Sequence, residues 1–463
     1  MSPYSPAVLP TEVFVADNDS RPTYLRRLRR ALERGTFQNV RRMLRALHPA
    51  EIADLLESLP PAERKVVWEL VEPETSGEVL LHVNDEARAG LIQEMEPEEL
   101  LAATEGLDLD DLADILQDLP DAVSGELLHS MDVQNRQRLE TVLSYPEDSA
   151  GGLMNTDMIT VRADVSLDVV LRYLRLRGAI PEQTDSLMVV DRNDRYLGIL
   201  SLHQLLIGQP DVPVKEVMIK DFEPIAAHLP ADEVARRFEH FDLVSAPVVG
   251  PENKLVGRIT IDDVVDVIRE EAEHSIMSMA GLDQEEDIFA PIVPSARRRA
   301  VWLGINLITA FMAAWVIGLF EGVLESAVAL AVLMPIVASM GGIAGSQTLT
   351  LVIRGLALGH VEPSNARWLL FKELTVGLLN GLVWALVVAV LAYVWFGNPI
   401  IGGIIAVAIL INLLCAALSG VGIPLLLRRL GIDPALAGSV VLTTVTDIVG
   451  FFAFLGLATL LLL

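Results

Sequence analysis

The sequence predicts a multi-domain membrane protein of mixed α and α/β architecture: a helical, solenoid-like N domain, a tandem α/β repeat and a five-helix transmembrane domain. Three observations predict it. Net charge is concentrated in one part of the chain, two different internal repeats occupy roughly the first 270 residues, and five long apolar spans fill the rest. At 463 residues the chain exceeds one ordinary domain. Its hydrophobic content of 52 % and mean hydropathy of +0.43 indicate a membrane protein. The formal charge is −27, yet from Arg299 onward six acids balance six bases, so the whole net charge precedes that point. An acidic half of this kind repels nucleic acid and anionic headgroups and attracts cations.

Residues 1–22 read as a tail, and residues 23–143 as short amphipathic helices. The segment 47–60, Leu-His-Pro-Ala-Glu-Ile-Ala-Asp-Leu-Leu-Glu-Ser-Leu-Pro, is echoed at 107–120 by Leu-Asp-Leu-Asp-Asp-Leu-Ala-Asp-Ile-Leu-Gln-Asp-Leu-Pro, and more faintly at 95–102. Each has a polar or proline start, an apolar stripe at helical spacing and a stop. Repeated helix pairs of this kind stack into a small solenoid. A proline- and glycine-rich joint, Ser-Tyr-Pro-Glu-Asp-Ser-Ala-Gly-Gly-Leu-Met-Asn, opens the segment 144–270. Within it Tyr196-Leu-Gly-Ile-Leu-Ser-Leu-His-Gln-Leu-Leu parallels Leu255-Val-Gly-Arg-Ile-Thr-Ile-Asp-Asp-Val-Val, and each is preceded by a short apolar strand. Strand, turn, strand and helix, given twice, look like a tandem pair of CBS domains. Residues 271–296 continue the last helix as a charged connector.

The transmembrane domain takes residues 297–463, with apolar spans at about 299–320, 327–353, 368–396, 400–427 and 435–462. Each can cross about 30 Å of hydrocarbon. Arg297 to Arg299, then Arg354, Arg367 and Lys372, then Arg428 and Arg429 fall on alternate sides, while the two opposite loops carry no base. By the positive-inside rule the soluble half is cytoplasmic and the C-terminus outside, in a multi-pass protein of the cell (inner) membrane. The first thirty residues lack the apolar core of a signal peptide. A single cysteine, Cys415, permits no intrachain disulfide and fits a cytosolic soluble half.

Asp447 lies near the middle of the last span, and an intramembrane carboxylate is rare without a task. Ser439, Thr443 and Asp447 recur every four residues and share one helical face. Hard oxygen ligands suit a hard cation. The competing reading is a buried hydrogen bond or a proton relay. One carboxylate cannot neutralise a divalent ion, but a two-fold homodimer with Asp447 at its axis supplies two. Mg²⁺ keeps several waters where few carboxylates are offered, so a sparse site suits it. The second span is interrupted by Ser-Met-Gly-Gly-Ile-Ala-Gly-Ser-Gln-Thr from Ser339. Gly341 and Gly342 there either free backbone carbonyls to face a polar path or, as Gly341-x-x-x-Gly345, pack helices. Asn306, Asn380 and Asn412 line a path or bond between helices.

The order of parts, with the joint at 144–154, Ile-Asp-Asp-Val-Val-Asp-Val at 261–267, Gly-Gly-Ile-Ala-Gly-Ser-Gln at 341–347 and Leu-Arg-Arg-Leu-Gly-Ile-Asp-Pro-Ala-Leu at 427–436, resembles the MgtE family of magnesium channels from about residue 25 to the end. The resemblance implies a homodimeric Mg²⁺ channel in which cytosolic Mg²⁺ bridges acids of the N domain, the CBS domains and a connecting plug helix, closing the pore. It implies regulatory roles for Asp110, Asp114, Asp232, Asp242, Asp263, Asp266 and Glu271, and a pore role for Asp447. It also implies that the CBS pair can take ATP. Thr260-x-x-Asp263 fits a nucleotide-ribose pattern, whereas Ser201-x-x-Gln204 lacks the acid.

This sequence departs from the family at five positions. Ile343 and Ser439-Val440 stand where an asparagine and an Asn-Pro are usual, which bears on ion preference. His274 and Ser275 stand where the plug helix usually carries acids, which predicts weaker Mg²⁺ gating. The alternatives to a Mg²⁺ channel are a transporter of another divalent cation such as Co²⁺ or Ni²⁺, and a non-conducting, nucleotide-sensing membrane protein. No nucleophile–base pair, metalloprotease motif or phosphate loop points to an enzyme.

Overall fold

The computed structural model describes residues 21–462 apart from 105–106, 120, 182, 283–286 and 363. The tail over 1–20 and the acidic connector stretch 283–286 therefore lie outside the described residues. The chain divides into two compact units, and each is described by itself. One takes the chain up to Pro230 with Val244–Thr260 and Asp287–Pro291; the other takes Ala231–Leu243, Ile261–Glu286 and Ile292–Leu463.

The first unit begins with ten helices among the described residues, from α1 (Arg21–Glu33) and α2 (Phe37–Leu44) to α10 (Val133–Val142). The repeated segments become α3 (Pro49–Glu57), α7 (Pro97–Thr104) and α8 (Leu109–Asp118). The start of α3 shows why the motif folds so. The Ala50 N–H donates to His48 Nδ1 at 3.3 Å, and the His48 N–H donates to Glu51 Oε2 at 2.9 Å. Two donors that the first helical turn leaves orphaned are thereby satisfied. Buried Leu55, Leu56, Leu59, Val79 and Leu80 form the apolar stripe, α3 packing on α5 (Pro73–His82) and α5 in turn on α7 and α8. One charged group is enclosed there. Arg64, in α4 (Pro61–Trp68), donates to the carbonyls of Leu56 and Leu59 and pairs with Asp287 at 2.6 Å, with both side chains under a tenth exposed. A buried pair of this kind holds because further hydrogen bonds to backbone carbonyls support it.

The second repeat gives two three-stranded sheets of one topology. Strand β1 (Thr160–Arg162) runs parallel to β2 (Ser186–Val190), which pairs antiparallel with β3 (Tyr196–Ser201). β4 (Ile225–Ala226), β5 (Ser245–Val249) and β6 (Leu255–Thr260) repeat that order. Every residue of β2 and β5 is buried, so both read as continuous apolar runs rather than alternating ones. Each sheet carries its bulge at the same place, between Val189 and Val190 and between Val248 and Val249. Facing these are Gly198 and Gly257, where a side chain would collide with the Ile219 carbonyl or with Met154. The strands β1 and β4 carry no strong sequence pattern and emerge only in the sheets.

The second unit holds α14 (Ala231–Phe241), α15 (Ile261–Met279) and five helices long and apolar enough to cross a membrane: α16 (Ile292–Gly318), α18 (Val328–Ala357), α19 (Ala366–Phe396), α20 (Pro399–Arg429) and α21 (Pro434–Leu462), with the short α17 (Glu321–Ser326) between the first two. Helix α15 is one rod from the end of β6 into the connector, as the sequence predicts. α20 is the most enclosed of the five and packs against α18, α19 and α21 through small residues, Ala408, Ala416, Ala417 and Gly420 among them. α16 is the least enclosed, and its exposed leucines, valines and isoleucines face outward, as a lipid-exposed helix requires.

One expectation is corrected here. The second span is not broken at its glycines: α18 runs continuously through Ser339–Thr348 and even through Pro335. The glycines serve close packing. A methyl group at Gly341 would overlap the Asn412 amide, and one at Gly345 would meet the Leu442 side chain at 2.9 Å. Helices approach where a side chain is absent, and no backbone carbonyl needs to be released.

Candidate cation site

An open cavity of about 980 Å³ lies between α18 and α21. α18 lines it with Ala338, Ser339, Gly342, Ile343, Ser346, Gln347, Thr350 and Leu351, and α21 with Thr443 and Asp447. The α18 residues recur every three or four positions, so they form one face of that helix. Hydroxyls, an amide and a carboxylate thus stand in a lining whose surface is mostly apolar.

Asp447 is half-buried and has no hydrogen-bond or ion-pair partner among the described residues. Thr443, one turn before it, donates its hydroxyl proton back to the carbonyls of Ser439 and Val440 at 3.0 and 3.1 Å. With its proton committed, the Thr443 oxygen offers only lone pairs to the cavity. A carboxylate and an accepting hydroxyl one turn apart make a sparse, hard-oxygen half-site for a cation.

Not every predicted pore residue lies there. Ser439 is half-buried but outside the cavity wall, because the cavity ends one turn short of it. Gly341 is buried on the adjacent face of α18, against Asn412, while Gly342 faces the cavity with open space beside it. Asn412 is fully buried and its amide donates to the Val337 carbonyl at 2.8 Å, so it clasps α20 to α18. Asn306 donates to the carbonyl of Trp302 in its own helix, and Asn380 is exposed. Neither lies in the cavity wall.

Glu373 is the polar residue that sequence reasoning passed over. It sits two turns into α19 at 4 % exposure, accepts from Thr348 Oγ1 at 3.2 Å and pairs with Lys372 at 2.5 Å. The signal was present: it is an acid at the edge of an apolar run, as Asp447 is an acid within one.

The seven acids named for regulation divide between the two units. Asp110 and Asp114 stand one turn apart on α8, and Asp110 accepts from Asn155 Nδ2 at 3.1 Å. Asp232 lies in the first turn of α14, exposed Asp242 follows its end at a left-handed φ of 49°, and Asp263, Asp266 and Glu271 lie along α15, which packs on α14. No three metal-ligating side chains among the described residues converge on one point. At Asp232 a cation is already supplied by the protein. Arg236 donates to Asp232 at 3.0 Å, to Glu233 at 2.7 Å and to the Ala357 carbonyl at the end of α18 at 3.1 Å. The Arg236 hydrogen bond holds the Glu233 carboxyl below the usual range against the opposing effect of burial. Of the nucleotide candidates, Thr260 is buried at the end of β6 and Asp263 lies in the first turn of α15.

Comparison with known proteins accounts for the order of the domains. Family profiles match in chain order: the MgtE intracellular N domain over residues 47–148, the CBS domain over 150–209 and 214–270, and MgtE, described as a divalent cation transporter, over 334–457. The chain is 34 % identical to the magnesium transporter MgtE of Thermus thermophilus over 440 residues, covering 94 % of this chain and 98 % of that one. It is 27 % identical to the magnesium transporter MgtE of Bacillus subtilis over 428 residues, covering 92 % and 95 %. Among solved structures it is similar to the cytosolic domain of the Mg²⁺ channel MgtE in complex with ATP, at 35 % identity and a TM-score of 0.47, covering 52 % of this chain and 98 % of that one. With its N domain, its CBS pair and its five membrane-spanning helices in the family's order, the chain belongs to the MgtE family.

Proposed function

We propose that this multi-pass membrane protein is a homodimeric Mg²⁺ channel, gated by Mg²⁺ that binds among the acids of its soluble half. The observation that carries the reading is the placing of Asp447 and Thr443, one turn apart, on an open cavity that α18 lines with hydroxyls and an amide. A second copy across a two-fold axis supplies the second carboxylate a divalent ion needs. Mg²⁺ retains most of its waters, and the Ser, Thr and Gln oxygens of α18 suit a hydrated ion better than a fully stripped one. The relatives' printed names, magnesium transporters, supply the ion.

Gating follows from charge. Acidic helix faces repel one another, so low Mg²⁺ favours separation, and bridging ions shift the population to a compact, closed state. Asp114, Asp232, Asp242, Asp266 and Glu271 are exposed, and Asp110 and Asp263 stand beside them on α8 and α15. The soluble half faces the cytoplasm and the C-terminus lies outside, as the arginine and lysine loops require. ATP at Thr260 and Asp263 is an added ligand of the CBS pair.

The test is divalent flux through the full-length protein in liposomes. Asp447→Ala is expected to abolish Mg²⁺ flux while the protein still inserts and dimerises. Wild-type flux from that variant would remove Asp447 from the pore. A second reading, preference for another divalent ion such as Co²⁺ or Ni²⁺, rests on Ile343, whose apolar side chain occupies the cavity wall four residues from Ser339 and Gln347. Competition of Mg²⁺ flux by those ions separates the two.

A further inference from the structure

Helix α15 meets the start of α21 through a contact whose charge depends on pH. His274 Nε2 lies 3.2 Å from Asp433 Oδ2, and Ser278 Oγ lies 3.4 Å from the same nitrogen. The two side chains are 41 % and 34 % exposed, partly shielded by the packing of α15 on α21. Asp433 is not a loose carboxylate. It caps α21, accepting from the Ala435 and Leu436 N–H groups at 2.8 and 3.3 Å, so it is fixed to the helix that carries Thr443 and Asp447. Imidazole is the side chain that changes charge between about pH 5 and 8. α14, which packs on α15, reaches the other cavity-lining helix, α18, through Arg236 and the Ala357 carbonyl. That cation is permanent. One tie to the cavity walls is therefore constant and the other can be switched.

The charged groups around this contact are few in kind. On α21 the capping Asp433 is the one near it, Asp447 lying fourteen residues further on. On α15 itself stand Arg269, paired with Glu273, and Glu270 and Glu271. On α14, packed against α15, stand Asp232 and Glu233 with Arg236, then Arg237, Glu239 and His240. His240 is the second histidine on the pair, its ring edge-on to Phe241.

We propose that His274 and Asp433 form a proton-operated latch between α15 and the pore helix α21. The imidazolium form binds the Asp433 carboxylate as an ion pair, and deprotonation leaves at most one neutral hydrogen bond. The ion pair is the stronger of the two contacts, so acid makes the latch and alkali releases it. The functional consequence rests on reading α15 as the gating helix: acid favours the docked, closed arrangement and lowers the Mg²⁺ needed to close the channel. A partly exposed ion pair shifts such an equilibrium by roughly two- to five-fold.

The experiment uses the full chain in liposomes, with Mg²⁺ and pH varied on the side of the soluble half. In the wild type the half-closing Mg²⁺ concentration should be about two- to five-fold lower at pH 5.5 than at pH 8. His274→Gln should fix it at the alkaline value and His274→Arg at the acidic value. Asp433→Asn retains a capping side chain and should also abolish the shift, whereas His240→Gln should leave it. A second readout does not depend on flux. Spin labels on Ile276→Cys and Val441→Cys, in a Cys415→Ser background, should show a distance distribution that narrows on acidification, and His274→Gln should remove the narrowing. Flux indifferent to Mg²⁺ alongside a pH-dependent distance would retire the gating reading and keep the latch. A His274→Gln protein with the wild-type pH response in either readout overturns the latch.

Discussion

Glu373 and Asp447 are both carboxylates in membrane-spanning helices, and their surroundings are opposite. Glu373 is enclosed between α18 and α19, with Thr348 donating to one oxygen and Lys372 to the other. Asp447 faces an open cavity with no partner among the described residues. A carboxylate whose lone pairs are taken by the protein holds helices together. One whose lone pairs face an open cavity is available to an ion. The difference separates an acid bonded within the protein from one left open to a cation more sharply than depth along the span does.

The largest effect should come from exchanging charge for an isosteric amide at the cavity. Asp447→Asn is expected to lower Mg²⁺ flux at least about a hundred-fold, since even the outer partners of a metal site are worth ten- to a hundred-fold. Its melting temperature in detergent should not fall, because no protein partner is lost. Glu373→Ala should do the reverse, lowering stability by about 1–3 kcal/mol as Thr348 and Lys372 lose their acceptor, with flux per inserted dimer little changed. Equal effects of the two substitutions on flux would erase the distinction.

Adjacent glycines of α18 sharpen the same comparison on a smaller scale. A side chain at position 341 collides with Asn412, whereas one at 342 projects into open space. Gly341→Val should cost about 1–3 kcal/mol by overpacking. Gly342→Ala should leave the melting temperature within its error and alter flux alone. The smallest expected effect is at Ile343, where Ile343→Asn adds an oxygen to the cavity wall and should raise the preference for Mg²⁺ over Co²⁺ by up to about ten-fold.

Much of the fold was legible because its signals are local. The N-domain repeats, the strand–turn–strand–helix of each CBS domain and the apolar spans each lie in one contiguous segment, and periodicity or hydropathy reads such segments directly. The short strands β1 and β4 were not legible, since two or three residues carry no period and exist only through pairing with β2 and β5. The candidate site was half legible. Four-residue spacing does put Ser439, Thr443 and Asp447 on one face, but how far along that face the cavity reaches depends on α18. The glycine run left two readings open because glycine serves helix opening and close packing alike, and only the position of Asn412 distinguishes the two.

The sequence by itself determined the elements, their order, the charged half and the neutral half, and the presence of an acid within the last span, because these follow from composition and spacing along one chain. The tertiary structure decided which polar groups meet. It set Glu373 against Thr348, Gly341 against Asn412 and His274 against Asp433, pairs separated by 25, 71 and 159 residues. It left Asp447 facing a cavity. Whether a buried carboxylate is a clasp or a ligand depends on what its lone pairs face, and that is fixed by the packing of one helix on another.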